Sequence, residues 1–319
     1  MNSPHYVIIT PVRNEIGRVG KTIDSVAAQT IPPRRWIMVN DGSTDGTAEL
    51  LDAAAQKHAW IRVVHRADRG CRKPGGGVME AFYDGYRLLS SATAGEGEVV
   101  AGLAEPAPAS PVSPGVPSPG TWDFLVKLDG DLEFTPTYFA ECFARFQADP
   151  QLGIGGGTVC YELNGRWIEE VKGDPPFHVR GATKIYRRAC WEAIGGLFKA
   201  PGWDTLDEVK ANQLGWRTYS FKELKLLQLK NTGTADGVWR NWFKNGRANY
   251  ITGYHPLFML AKCVQRFFRP PRGVGGLALL CGFASGYFRR APQVADPGLI
   301  RYLRRQQLNR LWGRPSLWG

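Results

Sequence analysis

The chain has 319 residues, 43% of them apolar and 22% charged, which allows one large or two ordinary globular domains and excludes a fibrous or wholly disordered chain. The formal net charge is +11, but residues 261–319 hold eleven basic residues and one acid, so +10 of it lies at the C-terminal end and the body is nearly neutral. Six cysteines without a CxxC pair exclude a zinc-ribbon pattern and a dense disulfide framework, and they point to a reducing, cytoplasmic setting.

No basic-then-apolar leader precedes the first apolar run, so no signal peptide is expected. The residues from 6 to 10 hold four consecutive apolar side chains and are rich in β-branched ones, the pattern of a buried parallel strand, with Pro11 expected to end it. Residues 15–29 place Ile16, Val19, Ile23, Val26 and Ala27 at helical spacing. Strands are expected at 36–39 and 61–64, separated by a helix that Asp45 caps and that runs to about Lys57. Glycines 75–77 open a helix whose apolar face holds Val78, Ala81, Phe82 and Leu88 or Leu89. Residues 90–121 are dominated by Ala, Gly, Pro, Ser and Glu, with six prolines, and read as a low-complexity insertion between two core elements.

A short apolar strand over 124–128 then ends in Asp129-Gly130-Asp131. A helix over 136–147, a glycine-rich strand over 153–159 and a strand region over 178–188 follow. A short helix over 189–194, a helix over 207–214 and extended chain over 216–221 complete the body. Strands alternating with helices through residue 150 predict a layered α/β sheet with parallel order and right-handed crossovers.

The chemistry gathers at the ends of these strands. In an open parallel sheet, ligands bind at the carboxyl ends of the strands. Three unusual segments fall there: Pro11-Val-Arg-Asn-Glu15, Asn40-Asp-Gly-Ser-Thr-Asp45 and Asp129-Gly-Asp131. Two carboxylates closing a buried strand repel unless a cation sits with them, and Mg²⁺ or Mn²⁺ is typically held by one or two carboxylates plus substrate phosphates. A metal–phosphate site is therefore expected at Asp129 and Asp131. The plainer alternative makes Glu15 a helix-start acid and Asp41 and Asp45 turn and cap residues.

The motifs Thr10-Pro-Val-Arg-Asn-Glu15, Val39-Asn-Asp-Gly-Ser-Thr-Asp-Gly-Thr47 and Lys127-Leu-Asp-Gly-Asp131, with Arg180-Gly-Ala182 and Gly202-Trp-Asp-Thr-Leu-Asp-Glu208, resemble those of the family-2 inverting glycosyltransferases. The resemblance covers about residues 5–225. It implies a GT-A fold: a Rossmann-like, mixed and mostly parallel sheet flanked by helices, here with a C-terminal helical extension. It also implies that Pro11, Arg13, Glu15, Asp41 and Asp129 meet the nucleotide, and that Asp131, with Asp129, ligates Mn²⁺ or Mg²⁺ on the diphosphate. The family's catalytic base is an Asp, usually in a Glu-Asp pair, eleven residues before a glycine. Asp204 stands eleven before Gly215, so it is the expected base, although Trp203 replaces the usual preceding acid. Asp207 is the second choice, with a first-turn helix acid as its plainer reading. Arg72 and Lys73, in Arg69-Gly-Cys-Arg-Lys-Pro-Gly-Gly-Gly77, sit where the family places a loop over the nucleotide. Gly181, Arg180, His178, Lys244 and Arg247 are expected near donor or acceptor. The processive Gln-x-x-Arg-Trp motif is absent around Trp239, which argues against a polymer synthase.

The expected donor is a nucleotide sugar, UDP-linked by preference and GDP- or dTDP-linked otherwise, and the expected acceptor is lipid-linked or saccharide. A sugar-1-phosphate nucleotidylyltransferase would need a glycine-rich phosphate loop in the first strand–helix turn, where this chain has Pro-Val-Arg-Asn-Glu. A non-catalytic scaffold with a functional basic tail is the other alternative. Residues 1–230 are expected to form the catalytic domain and 231–319 a basic helical region. The longest charge-free apolar stretch, residues 273–288, has 16 residues with five glycines, short of the roughly 20 a spanning helix needs. Residues 299–312 are basic and amphipathic, which suits an interfacial helix on an anionic cytoplasmic leaflet, with packing back onto the body as the alternative. No nucleic-acid-binding motif accompanies the charge.

Overall fold

A computed structural model describes residues 3–70, 76–91, 122–170, 173–230, 237–270 and 272–319. Arg72, Lys73 and the proline-rich stretch from 92 to 121 lie outside the described residues. In chain order the elements are β1 (Tyr6–Val12), α1 (Val19–Ala27), β2 (Arg35–Asp41), α2 (Thr47–Lys57), β3 (Ile61–Arg66), α3 (Gly76–Ser91), β4 (Phe124–Leu128), β5 (Leu132–Glu133), α4 (Tyr138–Ala148), β6 (Leu152–Leu163), β7 (Arg166–Glu169), β8 (Thr183–Arg187), α5 (Arg188–Ile194), α6 (Trp203–Gln213) and β9 (Arg217–Gln228). Four helices follow: α7 (Val238–Ile251), α8 (Pro256–Phe267), α9 (Val274–Phe288) and α10 (Pro297–Leu311).

The strands form one sheet in the order β3-β2-β1-β4-β8-β6-β9-β5, with β7 added to β6. The pairings β1–β2, β2–β3, β1–β4 and β6–β9 are parallel, while β8 is antiparallel to both β4 and β6. Six strands (β1, β2, β3, β4, β6 and β9) therefore point the same way, and their carboxyl ends share one edge.

The sheet is covered on both faces, which is why β1 and β2 read as continuous apolar runs rather than alternating ones. Alternate residues still choose sides. Ile8, Met38 and Val126 pack with Val19 of α1, Leu51 of α2 and Phe139 and Phe143 of α4. Val7, Ile9, Ile37 and Leu125 pack with Phe82 of α3, Trp191 of α5 and Trp203 of α6.

Several boundaries differ from the sequence expectation. Pro11 does not end β1, which pairs with β2 as far as Val12. Pairing with β4 stops at Ile9, so Pro11 lies beyond the part of β1 that is bonded on both sides, where a missing N–H is tolerated. The first helix begins at Val19, and the chain from Glu15 to Arg18 is a turn closed by Arg18 N and Val19 N donating to the Glu15 carbonyl, both at 2.9 Å. The helix expected at 207 starts at Trp203 instead, which moves Asp207 from a first-turn position into the second turn.

The four last helices share a core with the body. Tyr250, Tyr254, Met259, Leu299 and Leu303 pack with Phe177, Leu206 and Val209. Helices α7 and α9 approach so closely that a Cβ on Gly246 would lie 2.0 Å from the Leu279 carbonyl oxygen, and one on Gly282 would lie 2.0 Å from that of Phe243. Glycine alone permits this backbone contact. No helix among the described residues is long and apolar enough to cross a membrane.

Helix α10, the expected interfacial helix, packs one face back onto the body. It buries Leu299, Leu303 and Gln307 against the body. It is tied down by Lys210 to Asp296 at 2.7 Å, by His255 N donating to Gln307 Oε1 at 2.8 Å and by Arg304 Nε donating to the Gly253 carbonyl at 2.8 Å. Leu299 and Leu303 are taken up in packing, the alternative the amphipathic pattern had allowed, while Arg301, Arg305 and Arg310 are exposed, as is Trp312 just after the helix.

Candidate active site

The first two acidic loops are laced to each other. Asn14 N donates to Ser43 Oγ at 3.0 Å, and Thr44 N donates to Asn14 Oδ1 at 2.8 Å. Glu15 N donates to Thr47 Oγ1 at 3.0 Å, and Thr47 Oγ1 donates to Asp45 Oδ1 at 2.5 Å. Asp45 also accepts from Thr47 N at 3.1 Å, but the N-cap of α2 is Gly46, so Asp45, the expected cap, stands one residue before it. Burial pushes its carboxyl up, and these hydrogen bonds outweigh that and hold it below the usual range. Gly42 has φ +68°, and a Cβ there would lie 2.5 Å from the Asp68 Cα, so the turn after Asp41 requires glycine.

Asp41 ends β2 almost fully buried. In the β2–β3 register it lies opposite Arg66, whose Nη1 is 2.7 Å from Asp41 Oδ1; Arg69 Nη2 is 2.6 Å from Oδ2. Arg13 Nη1 donates to the Asp41 carbonyl at 3.0 Å, and its Nη2 donates to Asp68 Oδ1 at 2.8 Å. Arg66 continues to Asp84 at 2.8 Å and Arg69 to Glu80 at 2.6 Å. Asp41 is thus an aimed acceptor that retains lone pairs beyond the two guanidinium contacts. Arg66 was absent from the sequence expectation. The signal for it was an arginine closing the strand next to one that closes in aspartate.

On the other side of β1, β4 delivers the acid pair. Lys127 is buried inside this strand. Its ammonium pairs with Asp129 Oδ1 and donates to the Gly181 carbonyl at 2.6 Å. Asp129 N donates to the Ala182 carbonyl at 2.8 Å, which fixes the turn, while the Asp129 side chain is 32% exposed. Asp131 is buried, and its Oδ2 accepts from Gln228 Nε2 at 3.2 Å. Burial, then the negative charge of Asp129, raises its carboxyl to about 7, and Glu15 adds to the same field. Glu15 itself is paired with Lys230 and lies 3.1 Å from Arg18 Nη1. Leu229 N donates to the Asp131 carbonyl at 2.8 Å, so the end of β9 ties Glu15 and Asp131 into one neighbourhood.

Among the described residues no three His, Cys, Asp or Glu side chains are grouped to hold a metal by themselves. The donor set still fits a hard divalent ion: two carboxylates of one Asp-Gly-Asp turn, with a third in their field, and little positive charge besides Lys127 and Lys230. Mg²⁺ and Mn²⁺ take oxygen ligands and commonly keep phosphates and water for the remaining positions.

Asp204 lies across Lys127 and Gly181 from Asp129. It is the second residue of α6 and half-buried. A Cβ on Gly181 would be 3.3 Å from Asp204 Cβ, so Gly181 leaves the room in which the two segments meet. Burial raises the Asp204 carboxyl, but His178, Lys184 and Arg180 outweigh it and the group is held below the usual range. Asp207 is different. Its side chain is 0% exposed, with Lys184 Nζ at 2.9 and 3.0 Å and Tyr186 OH donating at 2.6 Å. Burial, opposed by Lys184, raises it to about 6. That value suits a proton acceptor, yet no substrate hydroxyl can reach a sealed carboxylate, and geometry decides before pKa.

His178 Nδ1 lies 2.8 Å from Glu208 Oε2, and Arg180 Nη2 lies 2.6 Å from Glu170 Oε2. Lys244 and Arg247 are half-buried on α7.

Residues 7–82 match the family described as Glycosyl transferase family 2. A curated relative, the uncharacterized glycosyltransferase EpsJ of Bacillus subtilis strain 168, is 34% identical over 96 residues, and the match spans 28% of each chain. The mannosyltransferase PcManGT from Pyrobaculum calidifontis, solved with GDP-Man and Mn²⁺, superposes with a TM-score of 0.52 at 17% identity, over 99% of this chain and 77% of that one. S. aureus TarS residues 1–349 with UDP-GlcNAc superposes with a TM-score of 0.50 at 12% identity, over 96% and 81% of the two chains. Residues 7–82 are therefore similar to the family-2 glycosyltransferases, and the fold of the chain is that of the GT-A enzymes.

Proposed function

We propose that this chain, built on a family-2 glycosyltransferase domain, moves a sugar from a nucleoside-diphosphate sugar to an acceptor hydroxyl, with inversion at the sugar and with the aid of a divalent cation. One observation carries the reading. Glu15, Asp41, Asp129 and Asp131 share one carboxyl edge, and a reachable carboxylate, Asp204, stands across Gly181 from them.

In this reading Pro11, Arg13, Glu15 and Asp41 cradle the nucleoside. The Asp41 carboxylate, aimed by Arg66 and Arg69, accepts from a base N–H. Asp129 and Asp131 would hold the cation, which when bound offsets the charge of the departing diphosphate. Asp204 takes the acceptor's proton. Three cations near its carboxyl keep it ionised and free to do so, at the cost of basicity. Arg180, His178 and Gly181 border the acceptor side, and Lys244 and Arg247 the donor side. PcManGT and TarS were solved with GDP-Man and UDP-GlcNAc respectively, which supports a nucleotide-sugar donor; UDP-, GDP- and dTDP-sugars are the set to screen. Residues 1–230 would form the catalytic domain and 231–319 a helical extension. The acceptor is a lipid-linked or saccharide intermediate of surface polysaccharide or glycolipid synthesis, met at the cytoplasmic face of a membrane.

Calorimetric titration of UDP- and GDP-sugars with and without Mn²⁺ tests this reading. Donor affinity should rise with Mn²⁺ in the wild type and lose that dependence in Asp131→Ala. Donor affinity indifferent to manganese in the wild type would overturn the metal assignment.

A further inference from the structure

Helices α8 and α9 expose a surface that the rest of the molecule does not resemble. On α8, Leu257, Leu260 and Val264 repeat at helical spacing and are exposed, and Phe268, the residue after the helix, is 71% exposed. On α9, Leu277 and Leu280 are exposed, and Phe288 is 88% exposed. Ten of the nineteen large apolar residues exposed among the described residues fall between 257 and 288, so the concentration is not the ordinary scatter of a soluble surface. The two helices pack on each other through Gly276, where a Cβ would meet the Cys263 carbonyl at 2.7 Å, and their inner faces are already occupied. The exposed stripes are therefore surplus to the fold.

Charge selects the occupant. Residues 256–290 contain six basic residues and no acid. Arg269 and Arg272 in the α8–α9 connection and Arg289 and Arg290 after α9 are all exposed beside the apolar stripes. A second copy of the chain would set two such positive faces against each other. An anionic lipid surface matches both features: acyl chains take the leucines and phenylalanines, and headgroup phosphates take the guanidinium groups at the rim.

We infer that the α8–α9 pair, not α10, is the face by which this chain attaches to an anionic membrane. This deepens the membrane part of the function proposed above, and its test does not use the nucleotide site.

Co-sedimentation of the full chain with vesicles of phosphatidylcholine alone, and with 30% phosphatidylglycerol added, reads the attachment. The wild type should bind the anionic vesicles and leave the neutral ones largely empty. The pair Leu260→Glu and Leu277→Glu should weaken binding about tenfold or more, since burial of one leucine already accounts for that factor. Arg269→Ala and Arg289→Ala should each weaken it about fivefold. Circular dichroism and Mn²⁺-dependent nucleotide affinity should stay unchanged in all of these variants. A wild type that stays in the supernatant overturns the inference. So does anionic-vesicle binding unaffected by the leucine pair, or a solution dimer that the leucine pair dissociates. Vesicle binding that persists in a chain with no nucleotide affinity would leave this inference standing and remove the transferase reading.

Discussion

Lys127 on β4 and Lys184 on β8 are direct partners across the antiparallel ladder, and both ammonium groups lie 5.6 Å from the centroid of the Trp203 ring. Two like charges placed opposite each other destabilise a sheet unless each has its own anion. The two lysines solve this differently. Lys127 turns to the rim, where Asp129 stays 32% exposed. Lys184 turns inward to Asp207 and Glu208, at 2.9 and 2.8 Å, all three sealed from solvent. The rim pair is open to solvent on the Asp129 side. The inner cluster is closed. An acidic motif thus divides its labour, with Asp207 and Glu208 anchoring the helix that holds Asp204 at the surface.

The sharpest way to break this contrast is Lys184→Met. It leaves two buried carboxylates without their cation and should lower stability by about 3–5 kcal/mol, read by urea unfolding. Lys127→Met should cost clearly less, because Asp129 can turn to water. Equal losses would mean that the two clusters do not differ as described. Next comes Asp204→Asn, which should cut transfer about 10²–10⁴-fold while donor affinity holds. An active variant would remove Asp204 as the base. Asp207→Asn should instead show its main loss in stability, with the surviving folded fraction still able to bind donor.

The smallest effect concerns His178. Burial alone would lower its pKa, but Glu208 and Asp204 raise it above the ordinary value of about 6.5. A His raised in the folded state contributes stability that is full below about pH 6.5 and is lost as pH rises through the folded value. The stability gap between wild type and His178→Gln should therefore shrink as pH rises from 6 towards 9. A gap independent of pH would show that the imidazole stays neutral.

Much of the rim was legible in the sequence. Apolar runs ending in acids mark strands β1, β2 and β4, and topology brings those ends to one edge. What was hidden depended on contacts between segments. Arg66 reaches Asp41 only because of the β2–β3 register. Lys127 interrupts an apolar strand and Lys184 sits in a strand region with several other basic residues, and nothing local shows that the two face each other. Helix α6 starts at Trp203, right after Gly202, so the acids at 204 and 207 fall on different levels of one helix, one open and one enclosed. Amphipathic spacing identified α10 as a helix with an apolar stripe. It did not say that the stripe would be covered, because the ties to α6 and to the chain at the start of α8 span 51 to 86 residues in sequence.

The glycine crossing of α7 and α9 sets a dimension. At Gly246 and Gly282 backbone meets backbone, and the core around Leu206 and Tyr254 joins these helices to the body. The greasy outer surface of α8 and α9 thus belongs to the same packed body as the Asp129–Asp131 turn. Were that surface to rest on a membrane, as inferred above, this packing would set the height of the turn over the lipid and with it the depth at which the proposed acceptor meets the site.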